Sequence, residues 1–416
     1  MMYVERIGVD AVSVERLALA VRRSGVGFLN KVYTAAEQAY CAGNVEKLAG
    51  RWAAKEAVIK CFDGTGICFP RRRIEVLPGP NGAPLATLLG DARGAHVLVS
   101  ITHHDRIAVA TARLEMPDGM GSLLPAPIGV ILPIRPVEAH KGTFGTAVVL
   151  AGSIGFTGAA YLAATAAARA GAGLVRLLVA DSIYPILAAK CTEVMATPVA
   201  EAAPGAAGHE AYDSILGQMA HAEVGIVGPG LGRDASTWRL VLDLAVHAAC
   251  PLVIDADGLN ALAASPSLKG KLGPGRVLTP HLGEIARLTG KSVASIAANR
   301  QATALGTARE WGAIVVLKGA HTLVAHPDGR LSEDPHEVPA LATAGTGDVL
   351  AGIIGGLIAQ GLDPFSAAVS GVYVHAASGR RISRRLGDSG LLASDLLLEI
   401  PLVMKALREG ATAERG

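Results

Sequence analysis

Aromatic residues are scarce in this chain, at 4% of 416 positions, although half of all residues are hydrophobic. The core must therefore be aliphatic and rich in alanine. An excess of charge of one sign is also missing. The formal net charge is +2, which excludes a general pull toward nucleic acid or an anionic membrane, so any phosphate affinity must come from local sites. Cysteine is sparse: Cys41, Cys61, Cys68, Cys191 and Cys250 form no C-x-x-C pair, and the odd count speaks against a disulfide framework. Free thiols in a reducing, cytoplasmic compartment are expected. The opening M-M-Y-V-E-R-I-G-V-D carries acids where a signal peptide needs an apolar run. The one long uncharged stretch, 146–168, is made of Gly, Ala, Ser and Thr with interrupting glycines, so a buried strand–turn–helix is expected there rather than a membrane span.

Glycine, by contrast, is abundant at 50 residues, which points to tight turns and close helix–sheet contacts. Five prolines in 116–139 argue against helix or central strand and mark a boundary. The expected division is a first domain over 1–115, a Pro-rich linker over 116–127 and a second domain over 128–410. In the first, a strand at Arg6–Val9 precedes helical segments from Val14 to about Lys60, then strand-like runs at 74–77, 85–89, 97–102 and 107–113. Helices and strands do not alternate regularly, so this part is expected to be α+β. In the second, apolar runs at 147–150, 174–179, 224–227, 252–254, 277–278 and 314–317 alternate with helical stretches. That is the pattern of a mostly parallel α/β sheet with helices on both faces.

The most informative segment is A-T-A-G-T-G-D-V-L-A-G, 342–352. Small residues Ala344, Gly345, Thr346 and Gly347 precede Asp348 and a long apolar helix. Consecutive amides at a helix start form an anion site, and glycines let phosphate oxygens approach. Asp348 then either faces the ligand or caps the helix. Four further segments follow strands, where α/β sheets bind ligands: G-P-G-L-G (228–232), D-A-D-G-L-N-A-L (255–262), T-P-H-L-G-E (279–284) and V-L-K-G-A-H-T (316–322). The acids of 255–262 can serve Mg²⁺ or cap a helix, and Lys318 adds a cation.

In this order these segments resemble the ADP-dependent NAD(P)H-hydrate dehydratases of ribokinase-like fold. The resemblance also rests on H-K-G-T-F-G (140–145), G-S…G-A-A-Y-L-A (152–163), G-A-G-L-V (171–175) and A-S-D-L-L-L-E-I-P (393–401), and covers about 128–407. It implies Asp348 as the base, set against the hydrated nicotinamide. It implies Ala159, Gly230 and His281 lining the NAD(P)H-hydrate pocket, and Lys318, Gly319, Ala320, His321, Thr322 and Gly347 holding ADP or AMP, with ADP or ATP as phosphoryl donor. One departure is V-H-A-A-S-G-R-R (374–381), where the family more often has an acid after the glycine; a helix end there stays open. A separate NAD(P)H-hydrate epimerase is the implied pathway partner.

In the first part, Asp10 ends I-G-V-D, and 48–60 reads as a helix on which Arg51 and Lys55 share one face and Glu56 and Lys60 the next. A carboxylate from the strand and one from the helix suit Mg²⁺, which takes one or two carboxylates plus phosphates and water. The alternative is a Glu56–Lys60 surface pair. The order of I-G-V-D (7–10), F-L-N-K-V-Y-T-A-A-E (28–37), A-A-K-E-A-V-I-K (53–60), N-G-A-P (81–84) and V-S-I-T-H (99–103) resembles holo-[acyl-carrier-protein] synthase, a 4′-phosphopantetheinyl transferase, over about 4–113. The resemblance implies Mg²⁺ on Asp10 and Glu56, coenzyme A phosphates on Arg51, Lys55, Lys60 and His103, an acyl carrier protein as partner and a homo-oligomer, trimeric in that family. His103 reads equally well as a buried structural histidine. Trp52 in place of the usual Phe, and altered segments at 61–67, 71–76 and 102–105, depart from the pattern. Three readings remain open: a bifunctional transferase–dehydratase, a dehydratase with a non-catalytic docking or oligomerisation domain, and a ribokinase-like small-molecule kinase.

Overall fold

The structure is a computed structural model that describes residues 3–62, 70–79, 81–89, 96–104, 106–117, 130–273 and 275–413. The chain divides into two compact units, Met1–Pro125 with Ala406–Gly416, and Ala126–Lys405. Most of the expected linker, residues 118–127, lies outside the described residues.

In the first unit, strand β1 (Tyr3–Ser13) leads into helices α1 (Val14–Val32), α2 (Ala35–Cys41) and α3 (Val45–Cys61). Ser13, Thr34 and Asn44 each cap the helix that follows by accepting a backbone N–H, and Gly25 (φ 53, ψ −139) kinks α1 within its length, so the helical stretch of sequence is broken at the caps and at this glycine. Strands β2 (Ile74–Pro78), β3 (Pro84–Leu88), β4 (His96–His104) and β5 (Ile107–Pro117) complete an antiparallel sheet in the order β1-β5-β4-β3-β2. Both β1 and β5 run longer than their apolar cores. Helix α3 lays Ala53, Ala54, Ala57 and Val58 against Ile74, Val76, Ala110, Ala112 and Leu114. It comes so close to β1 that a Cβ on Gly8 would stand 2.0 Å from the Ala57 carbonyl oxygen. Gly8 thus brings Asp10, two residues along the same strand face, up to α3.

The second unit starts with β6 (Thr146–Leu150), α4 (Thr157–Arg169), β7 (Leu174–Ala180), α5 (Tyr184–Lys190) and β8 (Met195–Val199). A small ribbon of β9 (Glu201–Ala203) and β10 (Ala206–Ala207) precedes α6 (Tyr212–Met219), β11 (Val224–Val227), α7 (Ala235–His247), β12 (Leu252–Ile254) and α8 (Asp257–Ala263). Then come β13 (Arg276–Leu278), α9 (Leu282–Thr289), α10 (Val293–Ala298), α11 (Arg300–Trp311), β14 (Ile314–Leu317), β15 (Leu323–Ala325) and β16 (Leu331–Glu333). Helices α12 (Thr346–Ala359), α13 (Pro364–Leu386) and α14 (Ala393–Ala413) close the chain. The nine-stranded sheet has the order β16-β15-β14-β13-β12-β11-β6-β7-β8. All its pairings from β14 to β8 are parallel, and β15 and β16 add an antiparallel edge.

Successive strand residues point to opposite faces, and both faces are covered. Val148, Leu150, Val227 and Ile254 pack with α6, α7 and α8, while Ile226 meets α12. The helix end left open around 374–381 is not there: α13 continues for 23 residues, and Arg381 beyond Gly379 pairs with the buried Glu399 at 2.9 Å. No helix among the described residues is long and apolar enough to cross a membrane.

Helix α12 packs on the alanine-rich α4 almost backbone to backbone. A Cβ on Gly352 would lie 2.2 Å from the Ala163 carbonyl oxygen. Gly352→Val is therefore expected to destabilise the second unit by on the order of 3 kcal/mol. Gly306→Ala, in an exposed turn of α11 with open space around it, is expected to stabilise by about 0.5–1 kcal/mol. Urea titrations of the two variants check the pair, and equal midpoints would refute the close-packing argument.

Candidate functional site

The parallel strands β6, β11, β12, β13 and β14 end side by side, and the chain turns there carry the polar residues. After β11, Gly230 (φ 60) adopts a left-handed conformation that disfavours any side chain, and a Cβ there would lie 2.9 Å from that of Ala159 at the start of α4. The Ser153 hydroxyl donates to the Gly230 carbonyl at 2.8 Å, and the Gly232 amide donates to Asp257 at 2.9 Å. Two of the expected pocket residues, Ala159 and Gly230, are thus brought into contact. His281 after β13 caps α9: its Nδ1 accepts the amides of Gly283 and Glu284 at 2.9 and 3.2 Å, and Glu284 accepts the His281 amide at 2.8 Å. Partial burial and then the Lys318 charge hold the His281 pKa below its usual value.

Helix α12 starts at Gly345 (φ 90), and the Thr346 hydroxyl donates back to the carbonyls of Leu341 and Thr343 at 2.8 and 2.9 Å. Asp348 stands in the first turn, where it does not cap the helix; Gly345 is the cap residue. Behind it lies a charge cluster. Lys318 Nζ is 2.8 Å from Asp255 Oδ1 and 3.7 Å from Glu284 Oε2, and the Thr279 hydroxyl donates to Asp255 at 2.7 Å. Burial opposes the Lys318 charge, but Asp255 and Glu284 outweigh it and hold its pKa above the ordinary range. Asp348 is left without a cation of its own: burial, and then the Asp255 charge, push its pKa up to about 7. The acids of 255–262 do not cap α8. Asp255 anchors Lys318, and Asp257 accepts from Gly232 and from Asn260 at 3.1 Å without capping α8.

Beside the cluster opens a cavity of about 490 Å³, lined by Lys318, Gly319, Ala320, Thr322, Thr346, Gly347 and apolar side chains including Leu350 and Val372. The loop after β14 and the start of α12 thus face one space. His321 (φ 53) stands behind that wall, with its Nε2 2.6 Å from Glu337, one of the lining residues. Three supporting residues escape sequence reasoning. Arg300, the first residue of α11, donates to the carbonyls of Leu317 and Ala320 and so braces the loop from behind. His375 on α13 lines the cavity, with its pKa lowered to about 4 by burial, and is neutral at physiological pH. His336 bonds Asp334 at 3.0 Å and meets Tyr373 edge-on.

In the first unit, Asp10 pairs with Lys60 at 2.9 Å, and Glu56 pairs with Arg71. In place of the alternative Glu56–Lys60 surface pair, these two bridges tie the helix to β1 and to the segment before β2. Lys55 corrects the sequence reading. Its ammonium is fully enclosed, 2.7 Å from Glu37, and donates to the carbonyls of Val32, Arg71 and Ile74, so no donor is left for a coenzyme A phosphate. Burial lowers its pKa. Arg51 is 7% exposed and lies over the Tyr40 ring at 4.5 Å. Lys60 and His103 are the exposed members of that expected set. His103 is not the buried histidine of the alternative reading; its ring lies on α3 at Gly50, with Nε2 3.1 Å from the Glu46 carbonyl. Arg71, missed in sequence, stacks over Trp52 beside Glu56. Residues 63–67 and Asp105, in two of the altered segments, lie outside the described residues.

Residues 147–402 match the family model described as NAD(P)H-hydrate dehydratase, and residues 6–112 match that of the 4′-phosphopantetheinyl transferase superfamily. A bifunctional NAD(P)H-hydrate repair enzyme of Moorella thermoacetica is 47% identical over 279 residues, 67% of this chain and 52% of that protein. The chain spans about half the length of the bifunctional relatives it matches. An ADP-dependent (S)-NAD(P)H-hydrate dehydratase of Xanthomonas campestris is 37% identical over 67% of this chain and 94% of its own length. A crystal structure of the Bacillus subtilis ADP/ATP-dependent NAD(P)H-hydrate dehydratase, co-crystallised with ATP and Mg²⁺, superposes with a TM-score of 0.56 at 32% identity, over 67% of this chain and 95% of that one. The expected ribokinase-like architecture is the one observed.

The raised pKa of Asp348 has a consequence for stability. Between its ordinary value of 3.8 and about 7, the folded protein binds this proton more tightly than the unfolded chain, so stability falls as pH rises through that window. Asp348→Asn removes the effect. Relative to wild type it is expected to gain on the order of 3 kcal/mol at pH 8 and little at pH 4, as read from urea unfolding at the two pH values.

Proposed function

The chain belongs to the NAD(P)H-hydrate dehydratase family, and we propose on that ground that its second unit dehydrates (S)-NAD(P)H-hydrate to NAD(P)H at the expense of ADP or ATP. The observation that carries the reading is the placement of Asp348, a carboxyl poised near neutrality, directly after Gly347, which lines one cavity with Lys318, Gly319, Ala320 and Thr322. Hydroxide is a poor leaving group and phosphate a good one. Asp348 takes the proton of the hydrate hydroxyl as that oxygen attacks the terminal phosphorus of the nucleotide, which leaves as AMP or ADP. The ring carbon–oxygen bond of the phosphate ester then breaks and phosphate departs, a proton is lost from the adjacent ring carbon, and the dihydronicotinamide double bond is restored. Ala159, Gly230 and His281 are assigned to the hydrate, and Lys318–Thr322 with Gly347 to the nucleotide. Ala344–Gly347 form the anion site. Amides at the start of α12 and the Lys318 charge offset the negative charge that develops in transfer. T-P-H-L-G-E and H-K-G-T-F-G favour this over a small-molecule kinase.

For the first unit we propose transfer of 4′-phosphopantetheine from coenzyme A to a serine of an acyl carrier protein. Asp10 and Glu56 fit a magnesium ion. Both are hard oxygen donors, Asp10 on the strand that α3 approaches at Gly8 and Glu56 on α3 next to Ala57, and each is held by a cation, Lys60 or Arg71. Bound there, Mg²⁺ would neutralise the coenzyme A pyrophosphate, and Lys60 and Arg71 would turn from the carboxylates to phosphate oxygens. A homo-oligomer and a separate epimerase acting on the other hydrate epimer complete the reading.

Two assays test it. NADH hydrate incubated with ADP or ATP is expected to regain dihydronicotinamide absorbance, and Asp348→Asn to lose about 10³-fold in rate. The rate is expected to fall as pH drops below about 7, where the Asp348 carboxyl takes up its proton. With coenzyme A, apo carrier protein and Mg²⁺, Glu56→Gln is expected to abolish carrier labelling and spare dehydration. A wild-type protein that labels no carrier leaves the first unit a docking or oligomerisation module.

A further inference from the structure

The proposed reaction makes no direct use of Asp255, yet it is among the most deeply buried acids of the chain, at 1% exposure. It follows β12 and is held by two donors on one oxygen: the Thr279 hydroxyl at 2.7 Å and Lys318 Nζ at 2.8 Å. The residue after it, Ala256, sits at φ 48, ψ −113, a conformation that a side-chain-bearing residue rarely adopts. Such strain persists where the surroundings fix it, and here it sends Asp255 and Asp257 in diverging directions. The position that a Cβ of Gly347 would occupy lies 3.3 Å from Lys318 Nζ and 3.8 Å from Asp255 Oδ2. The bare backbone of Gly347 therefore lets the ion pair lie directly beneath the first turn of α12.

We propose that Asp255 is a positioning residue that docks Lys318 beneath the start of α12 and sets a fixed negative charge beside Asp348. This rests on the reading of Asp348 as base. The groups that face Asp348 are Asp255, Lys318, Asp257 on α8 and Glu284 on α9, so one cation serves three other carboxylates. Among these charges Asp255 acts most strongly, and it acts in the direction that keeps Asp348 basic; Lys318 opposes it. Without Asp255, the ammonium loses its anchor, is free to swing toward Asp348, and the base weakens. The same anchor holds the first residue of the nucleotide loop, so its loss loosens the nucleotide as well.

The test is the pH dependence of kcat/KM for hydrate at saturating ADP. In Asp255→Asn the acid limb is expected to move down by about one pH unit. The plateau is expected to fall about tenfold as the weaker base takes the proton less readily. The KM for ADP is expected to rise. Asp255→Glu keeps the charge and is expected to restore the limb to its wild-type position. An Asp255→Asn profile that drops equally at every pH, with the limb unmoved, would show a purely structural role and overturn the proposal. Should that variant fail to fold, Asp255→Asn with Lys318→Met leaves neither partner of the pair charged and is read instead. Its limb is expected below wild type, and a limb at or above wild type overturns the proposal. A wild-type profile without an acid limb near neutrality, or one that survives Asp348→Asn, sinks the base assignment itself. A wild-type limb that depends on Asp348 and ignores Asp255 sinks only this inference.

Discussion

One cation shared among several buried carboxylates is the constraint from which the second unit's site follows. Asp255, Glu284 and Asp348 cannot all be ionised cheaply in a water-poor crevice with Lys318 as the counter-charge close at hand. The protein resolves this by giving the first two a partner and leaving the third without one. Asp255 takes Lys318 and the Thr279 hydroxyl, Glu284 takes the His281 amide, and Asp348 holds a proton near neutrality. A base for an alcohol needs that poise. An ordinary carboxylate, ionised far below neutrality, would have little appetite for the proton.

Such a cluster requires backbones to converge. Asp255 follows β12, Thr279 and His281 follow β13, Lys318 follows β14, and Asp348 enters from α12. The parallel pairing of the three strands sets the first four in one row. Bringing α12 over them requires helix–helix contact too close for side chains, and the contact is made of Gly352 and Gly356 against Ala163, Ala166, Ala167 and Ala170. The scarcity of aromatic residues and the surplus of glycine and alanine are thus two sides of one packing solution. Bulkier residues on these faces would lift α12, and Asp348 with it, away from Lys318.

What was legible in the sequence was local. Asp348, Gly347 and Lys318 sit in short segments beside strands or helix starts, so their placement follows from the position of the element they flank. The parallel strands were legible for the same reason, being apolar runs bounded by glycine and proline. Contacts between distant segments were not. Arg300 reaches a loop about twenty residues along, His375 reaches the cavity from α13, and nothing in their neighbours announces either. Lys55 and Lys60 show the limit most clearly. Helical period sorts them onto different faces of α3 but does not say which face is covered, and the decisive partner of Lys55 is Glu37, eighteen positions upstream on α2. The antiparallel strands β15 and β16, three residues each, were too short to carry a pattern.

The two units handle charge in opposite ways, and the difference bears on what each can bind. In the first, Lys60 and Arg71 are roughly half exposed, and they cover Asp10 and Glu56 through bridges that open to solvent. Exposed pairs of this kind contribute little, about 0–1 kcal/mol, because water competes for both partners. Opening them costs the fold little, as the magnesium and phosphate binding proposed for this unit would require. In the second, Lys318 and Asp255 are enclosed, and separating them would strand a buried charge, which costs about 3–5 kcal/mol. That pair is scaffold rather than a latch. A ligand in the second unit must therefore fit a charge pattern already in place, whereas one in the first unit can build its own.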